Sequence, residues 1–373
     1  MSIHYKDAGV DIHLGDAASQ ILYEAARSTW SNREGRLGEI ITPFDDFTGL
    51  RMINAGGLPP GTVLGMGFDG IGTKVEIGER LGKHDTLAFD LFAMVCDDAV
   101  VRGAEPVLMG TVLDINTLSE EEGAGLDGIR QIAEGYIAAA REARVAVING
   151  ELAELGARVK GFGRFNYNWS AGVIWFAQRE RMLTGFEIEP GDALVGLREK
   201  GFRSNGLSLV RRVFSHAFGD NWHTRYLRGK TLGDLVITPS RIYTRAIVDM
   251  FGGVEDKPQA IIHGVSHITG GGIPGKLGRV LKPKNLGAMI DAPFVPEEIV
   301  LYCQELGSVP DEEAYRTWNM GQGMIVITPQ PEPVIAVAAS CEIEAKVIGR
   351  VTRVPGIIIV SQGLKKHETL TFP

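Results

Sequence analysis

The sequence predicts an α/β (α+β) protein of two domains. Its 373 residues exceed what one ordinary hydrophobic core organises. Strand-like and helix-like segments alternate from end to end, the pattern of sheets covered by helices on at least one face. A polar, turn-rich seam, Arg179-Glu180-Arg181 and then Glu189-Pro190-Gly191-Asp192, interrupts that alternation and places a boundary near residue 178. The expected domains are residues 1–178 and 179–373.

In the first domain, residues 62–67 and 107–112 read as buried strands, each followed by polar or acidic residues. Between them, residues 84–102 read as a helix, because Leu87, Leu91, Met94, Val95 and Val101 share one face at a period of 3.6. Gly103 stands where a C-cap belongs, and Pro106 prevents continuation. Residues 120–142 read as a long helix, starting at Glu120 and carrying Ile129, Ile132, Tyr136 and Ala140 on one face. Residues 145–148 form a short buried strand that ends at Asn149-Gly150-Glu151, and residues 170–177 form another. The second domain repeats this style. Strands are expected at 193–197 and 324–327, helices at 208–215 and 243–251, and a pair of adjacent strands at 346–351 and Gly356–Val360.

The stretch 69–106 carries the clearest chemistry. It opens with Asp69-Gly70-Ile71-Gly72-Thr73-Lys74, closes with Asp98 through Pro106, and holds Thr86, Asp90 and Asp97 between. Carboxylates among apolar residues are costly to bury without a cation or hydrogen-bond donors. On the helix, Thr86, Asp90, Ala93 and Asp97 fall at i, i+4, i+7 and i+11, one narrow polar stripe. Asp98 lies about 100° round from Asp97. The simplest explanation is a divalent metal carrying phosphates. Glu151, following a buried strand and Gly150, is placed at the end of a strand where α/β sheets hold ligands.

A net charge of −8 with no basic stripe argues against a nucleic-acid partner, although local basic residues leave room for a small anionic substrate. Cys96, Cys303 and Cys341 are odd in number and lack metal or disulfide spacing, which points to a reducing compartment. Residues 1–7 contain no apolar h-region, and no apolar run approaches the ~18 residues that span a membrane. A cytoplasmic location without membrane attachment is expected.

The 48 glycines cluster in short motifs, which suggests tight turns and close backbone approach to ligands. Gly201-Phe202-Arg203-Ser204-Asn205-Gly206 leads into a helix, with Ser204 or Asn205 as the natural N-cap and Arg203 as a charged fork suited to phosphate. His267-Ile268-Thr269-Gly270-Gly271-Gly272-Ile273-Pro274 is a second such turn, with Pro274 at the first position of a following helix. Asn319-Met320-Gly321-Gln322-Gly323 is a third. Neither a Walker loop nor a Rossmann fingerprint is present.

In order along the chain, these pieces resemble the aminoimidazole ribonucleotide synthetase (phosphoribosylformylglycinamidine cyclo-ligase) family. The matching residues include Tyr5-Lys6-Asp7-Ala8-Gly9-Val10-Asp11, Asp69 to Lys74, His84-Asp85-Thr86 with Asp90, and Asp98 with Gly103-Ala104 and Pro106. Ser204-Asn205-Gly206 with Ser208-Leu209-Val210-Arg211, Thr238-Pro239-Ser240-Arg241-Ile242-Tyr243, His267 to Gly272 and Tyr315 to Gly321 complete the set, which covers nearly the whole chain. The resemblance implies a two-domain PurM-like fold and a homodimer in which N-terminal sheets pair into a barrel-like interface near bound ATP. It also implies a reaction. ATP phosphorylates the amide oxygen of formylglycinamidine ribonucleotide, the amidine nitrogen closes the imidazole ring, and phosphate leaves.

On this resemblance, His267, Lys74 and Asp98 are the expected catalytic residues. Asp69, Gly70, Gly72, Thr73, Lys74 and Asp90 would contact ATP and its phosphates, and Asp69, Asp98 and Glu151 would hold Mg²⁺. Arg203, Ser204, Asn205, Gly206, Thr269, Gly270, Gly271, Gly272 and Asn319 would hold the phosphorylated small-molecule substrate. The sequence departs from the family at four places. The usual glycine-rich, lysine-containing loop is replaced at 40–48 by an acidic, aromatic one, and the histidine before Ser-Asn-Gly is Arg203. The residue before Asp98, commonly Asn, is Asp97, and Leu152 replaces a threonine after the glycine-glutamate pair. These departures leave two alternatives open: a relative that uses ATP to phosphorylate or cyclise another substrate, and a non-catalytic nucleotide-binding dimer.

Overall fold

The computed structural model describes residues 11–42, 51–118 and 123–373. Residues 5–10 of the first matching piece, residues 43–48 of the acidic loop and the expected helix start at Glu120 lie outside the described residues.

The first half builds a four-stranded sheet from β1 (Thr62–Gly70), β2 (Glu105–Ile115), β3 (Ala146–Glu154) and β4 (Tyr167–Gln178), in the order β1-β4-β2-β3. β1 and β2 flank β4 antiparallel, whereas β3 runs parallel to β2. Three helices cover one face: α1 (Ile12–Ser28), α2 (Leu87–Val100) and α3 (Ala124–Ala143). Among the described residues the sheet is open and forms no closed barrel. On its other face Leu64, Met66 and Phe68 are 62%, 58% and 74% exposed, and Val112 lies in the next strand but one.

The second half contains a seven-stranded mixed sheet. Its strands are β5 (Ala193–Arg198), β6 (Gly264–His267), β7 (Gly287–Ile290), β8 (Gln322–Thr328), β9 (Ala345–Thr352), β10 (Gly356–Val360) and β11 (Thr369–Phe372). They lie in the order β6-β8-β5-β9-β7-β10-β11. The expected pairing of the last long strands is corrected here, because β7 lies between β9 and β10 and pairs with both. Gly287 makes the insertion possible: a Cβ there would sit 2.0 Å from the Val354 carbonyl oxygen. The link 353–355, ending in a proline that cannot donate a ladder hydrogen bond, arches over it. Helices α4 (Leu207–Phe218), α5 (Thr244–Phe251) and α6 (Gly272–Leu281) connect these strands.

α2 is the element through which the halves meet. All its residues except Phe89 and Asp98 are buried, because it packs on the first sheet with one side and on α5 with another. Its expected polar stripe therefore faces protein. Asp90 is fully buried and accepts from Lys74 Nζ at 2.7 Å and from Ser240 Oγ at 2.5 Å, while Lys74 Nζ also donates to the Thr238 carbonyl at 2.6 Å. A second tie buries Arg33 against Glu105 at 2.9 Å, and Glu105 also accepts from the Val254 amide at 3.0 Å. β3 also differs from expectation. It continues through Glu151 to Glu154 because it pairs with β2 as far as Ile115, past a bulge at Met109/Gly110. Glu151 is thus in mid-strand. The three cysteines are free thiols, and no described helix is long and apolar enough to cross a membrane.

Removing one partner of a buried pair strands the other charge. Lys74→Met should therefore lower unfolding free energy in urea by about 3–5 kcal/mol, and adding Asp90→Leu should recover most of that loss.

Candidate active site

Segments from both halves meet at the end of α2 and at the Gly72–Lys74 turn. β1 ends in Asp69-Gly70 and enters the turn Gly72–Lys74, while the last turn of α2 presents Asp97 and Asp98. From the second half come the 201–206 turn ahead of α4 and the segment from His267 to the start of α6. The approach is close: an ideal Cβ on Gly72 would lie 3.9 Å from the Ser204 carbonyl oxygen, and one on Gly270 would lie 3.5 Å from Asn205 Nδ2.

The glycines are sterically required at the start of α6. Gly272 has φ 59°, and a Cβ there would come 1.9 Å from the Tyr315 carbonyl oxygen. α6 begins with Gly271 as its cap, so Pro274 stands third in the helix rather than first, still within the turn whose amides lack helical acceptors. α4 is capped by Gly206 at φ 76° instead of by Ser204 or Asn205. Ser204 Oγ and Asn205 Oδ1 are buried without a hydrogen-bond partner among the described residues.

Asp69 and Asp98 line one pocket of about 230 Å³ together with Met94 and Val95. Burial raises the Asp69 pKa; the Gly70 amide, donating at 2.7 Å, opposes this, and the neighbouring Asp98 charge adds to it. Burial would also raise Asp98, but its hydrogen bond with His267, and the charges of Lys276 and Arg203, bring it below the ordinary value. Lys276, on α6, thus acts on both carboxylates.

His267 is 3% exposed, and both ring nitrogens are engaged inside the protein. Nδ1 lies 2.6 Å from Asp98 Oδ1, and Nε2 lies 2.6 Å from an Arg203 guanidinium nitrogen. Burial, followed by the Arg203 charge, pushes its pKa down to about 4, so the ring is neutral near pH 7. This geometry corrects the expected proton-transfer role, since neither nitrogen faces the cleft. Arg203 is likewise 2% exposed and bonded to Glu199, to Asp97 at 3.3 Å and to the Arg241 carbonyl at 3.1 Å. A side chain so enclosed is a support and not a phosphate fork. Asp97 Oδ1 in turn accepts from the Tyr243 amide at 3.0 Å and Thr244 Oγ1 at 2.9 Å.

Other expected residues fall elsewhere. Lys74 and Asp90 are spent on each other at zero exposure, so neither reaches a phosphate in this geometry. Asn319 uses its amide to donate to the Gly201 carbonyl at 2.8 Å and to accept from the Gly321 amide at 2.8 Å, which shapes the neighbouring turns. Gly70, Gly72 and Thr73 line an adjoining cleft of about 450 Å³ with Glu76, Glu79 and Lys160. Thr269 is buried behind the glycines, and its carbonyl accepts from the Gly272 amide at 2.9 Å. Glu151 pairs in register with Val112, whereas Asp69 aligns with Ala171 and Thr111, one residue out of phase. Glu151 therefore projects from the opposite face of the sheet, beside the exposed apolar strip. Within one chain the expected Mg²⁺ set reduces to Asp69 and Asp98, and no group of three or more His, Cys, Asp or Glu suited to a metal occurs among the described residues. Two carboxylates with room for phosphate oxygens still suit Mg²⁺. Lys276 and Glu199 were not legible as site residues, because no motif links them to the groups they act on, whereas Tyr243 closes the Thr238–Tyr243 motif without a role being read for it.

Residues 52–165 match the model for the AIR synthase related protein N-terminal domain, and residues 189–361 match the model for its C-terminal domain. A phosphoribosylformylglycinamidine cyclo-ligase from Sorangium cellulosum is 35% identical over 360 residues, covering 95% of this chain and 97% of that protein. Another from Methanocaldococcus jannaschii is 33% identical over 374 residues, covering 98% of each. Among solved structures, thiamine-monophosphate kinase from Stenotrophomonas maltophilia aligns with a TM-score of 0.59 at 16% identity, covering 90% of this chain and 95% of that one. Hydrogenase maturation protein HypE in complex with ATP aligns with a TM-score of 0.55 at 16% identity, covering 83% and 85%. These two structural likenesses concern the fold alone.

The raised Asp69 pKa has a stability consequence. Above its folded pKa the ionised carboxylate disfavours the native state, and below its unfolded pKa both states are protonated and the effect vanishes. In metal-free buffer Asp69→Asn should raise Tm at pH 7, and the gain should shrink as pH falls through the carboxylate range. Thermal scans at several pH values with a chelator present check it.

Proposed function

The chain belongs to the AIR synthase related protein family, and from that premise we propose that it is an ATP-dependent cyclo-ligase of purine biosynthesis. It converts formylglycinamidine ribonucleotide to aminoimidazole ribonucleotide. One observation carries the reading at the level of residues: Asp69 and Asp98 line one pocket, His267 of the second half bonds Asp98 at 2.6 Å, and the Gly72 turn that follows Asp69 closely approaches the Ser204 carbonyl. Phosphoryl transfer asks mainly for positioning and charge stabilisation, which these groups offer.

In this proposal Asp69 and Asp98 hold Mg²⁺, which when bound neutralises charge on the transferring phosphoryl group. Lys276 offsets the remaining negative charge beside them. The amides that open α4 and α6, with Ser204 and Asn205, take the substrate's phosphate or the transferring group. His267 keeps Asp98 in place. The protein works as a cytoplasmic homodimer in which the Leu64, Met66 and Phe68 faces pair, since so contiguous an apolar strip is unusual on a monomer's surface. That pairing would bring Glu151 into the interface with them.

A second reading, ATP-dependent phosphorylation or cyclisation of another acceptor, is favoured by Arg203. The position where relatives usually carry histidine is here occupied by an arginine held internally.

Incubation with ATP, Mg²⁺ and formylglycinamidine ribonucleotide should yield ADP and aminoimidazole ribonucleotide in equal amounts, and Asp69→Ala should abolish both. ATP binding without substrate-dependent turnover would favour the second reading. In sizing chromatography the protein should elute as a dimer and Met66→Asp as a monomer; a monomeric parent protein would remove the proposed pairing.

A further inference from the structure

We propose that Arg203 is a positioning residue that locks His267 in its Nδ1–H tautomer, so that His267 donates to Asp98 and holds that carboxylate at the cleft shared with Asp69. A guanidinium donates and never accepts. With an Arg203 nitrogen 2.6 Å from Nε2, that ring nitrogen must be the bare acceptor. The single ring proton then sits on Nδ1 and points at Asp98 Oδ1, 2.6 Å away. The other tautomer would set two donors against each other at Nε2 and two lone pairs against each other at Nδ1. One choice satisfies both contacts and the other neither.

Arg203 can impose this choice because it is itself fixed. Glu199 and the Arg241 carbonyl hold one terminal nitrogen, Asp97 shares the other with His267, and the Tyr243 ring lies 5.3 Å from the guanidinium carbon. Tyr243 Oη also reaches Glu199, at 3.2 Å. A lysine, with one nitrogen at its tip, cannot make the same fork. Asp97, 106 residues away on α2, is ion-paired with Arg203 at 3.3 Å. A chain thus runs from Glu199 in the second half through Arg203 and His267 to Asp98, with Asp97 bracing Arg203 from the first half.

The inference rests on Asp98 serving Mg²⁺-bound ATP, but its test does not require the proposed substrate. Full-length protein labelled with ¹⁵N-histidine is examined by ring H–N correlation spectra at pH 7.5, with His267 assigned by loss of its signal in His267→Asn. The expected spectrum has a protonated Nδ1 and a bare Nε2. Arg203→Lys should free the ring to turn, so that the Nδ1–H resonance loses its hydrogen-bonded downfield shift, and should weaken Mg²⁺-dependent ATP binding by calorimetry on the order of 10–100-fold. ATP binding measured without Mg²⁺ should be unchanged, a separation that a general loss of structure would not give. A parent protein with Nε2–H, or Arg203→Lys retaining both the downfield Nδ1–H resonance and the Mg²⁺-dependent affinity, overturns the proposal. If Arg203→Lys does not fold, the parent spectrum and Asp97→Asn, expected to loosen Arg203 and weaken the Nδ1–H hydrogen bond, decide it; an unchanged Nδ1–H resonance in Asp97→Asn counts against it. Absence of cyclo-ligase turnover would refute the substrate reading and leave the tautomer result standing.

Discussion

The structure depends on the burial of two carboxylates, Asp90 and Asp97, on one helix. Neither is exposed, and neither finds a cation on α2 itself. An ionised carboxylate in such surroundings is unfavourable by several kcal/mol unless hydrogen bonds and a counter-charge compensate. For Asp90 these come from Lys74 and Ser240, and for Asp97 from Arg203, Tyr243 and Thr244. Most of those partners lie in the second half of the chain. The halves are thus held together by the electrostatic needs of a helix that belongs to one of them.

The same helix explains the chemistry at its end. Asp98 is the one acidic side chain of α2 that escapes burial, with 49% of its side chain accessible. One residue earlier the chain makes a structural anchor, and one residue later it returns to apolar packing. Asp69 reaches the same pocket from a strand end, so two unrelated backbone geometries deliver the pair. Placement on a helix and a strand gives more precision than two loops would.

Much of the fold was legible in the sequence because periodicity reports which face is buried. The helices near 84–102 and 243–251 and the strands near 62–67 and 193–197 were all found from that signal, with ends shifted by a few residues. Strand neighbours were not legible. Local pattern says that β9 and β10 are strands, yet only the clearance above Gly287 reveals that a third passes between them. Within the site, the motif turns were identified and do converge. The roles of Lys74 and Arg203 were misread for one reason: a basic residue beside a glycine turn suggests phosphate, and sequence cannot show that an acid from elsewhere has already claimed it. Glu151 escaped because its reading hung on strand length, and one extra pairing partner changed its face.

β1 carries a further constraint on how this protein can vary. Phe68 and Asp69 are adjacent residues on opposite faces of one strand, the phenyl ring facing outwards and the carboxylate facing α2. Because side chains alternate with a period of two, inserting or deleting one residue between Thr62 and Phe68 would exchange the faces. It would put an acid on the apolar strip and turn a ring towards α2 in the same step. The residue count of this strand therefore cannot drift. Length polymorphism among descendants of this sequence should therefore collect in the connections and spare β1, where a frame is preserved as strictly as a reading frame in a gene.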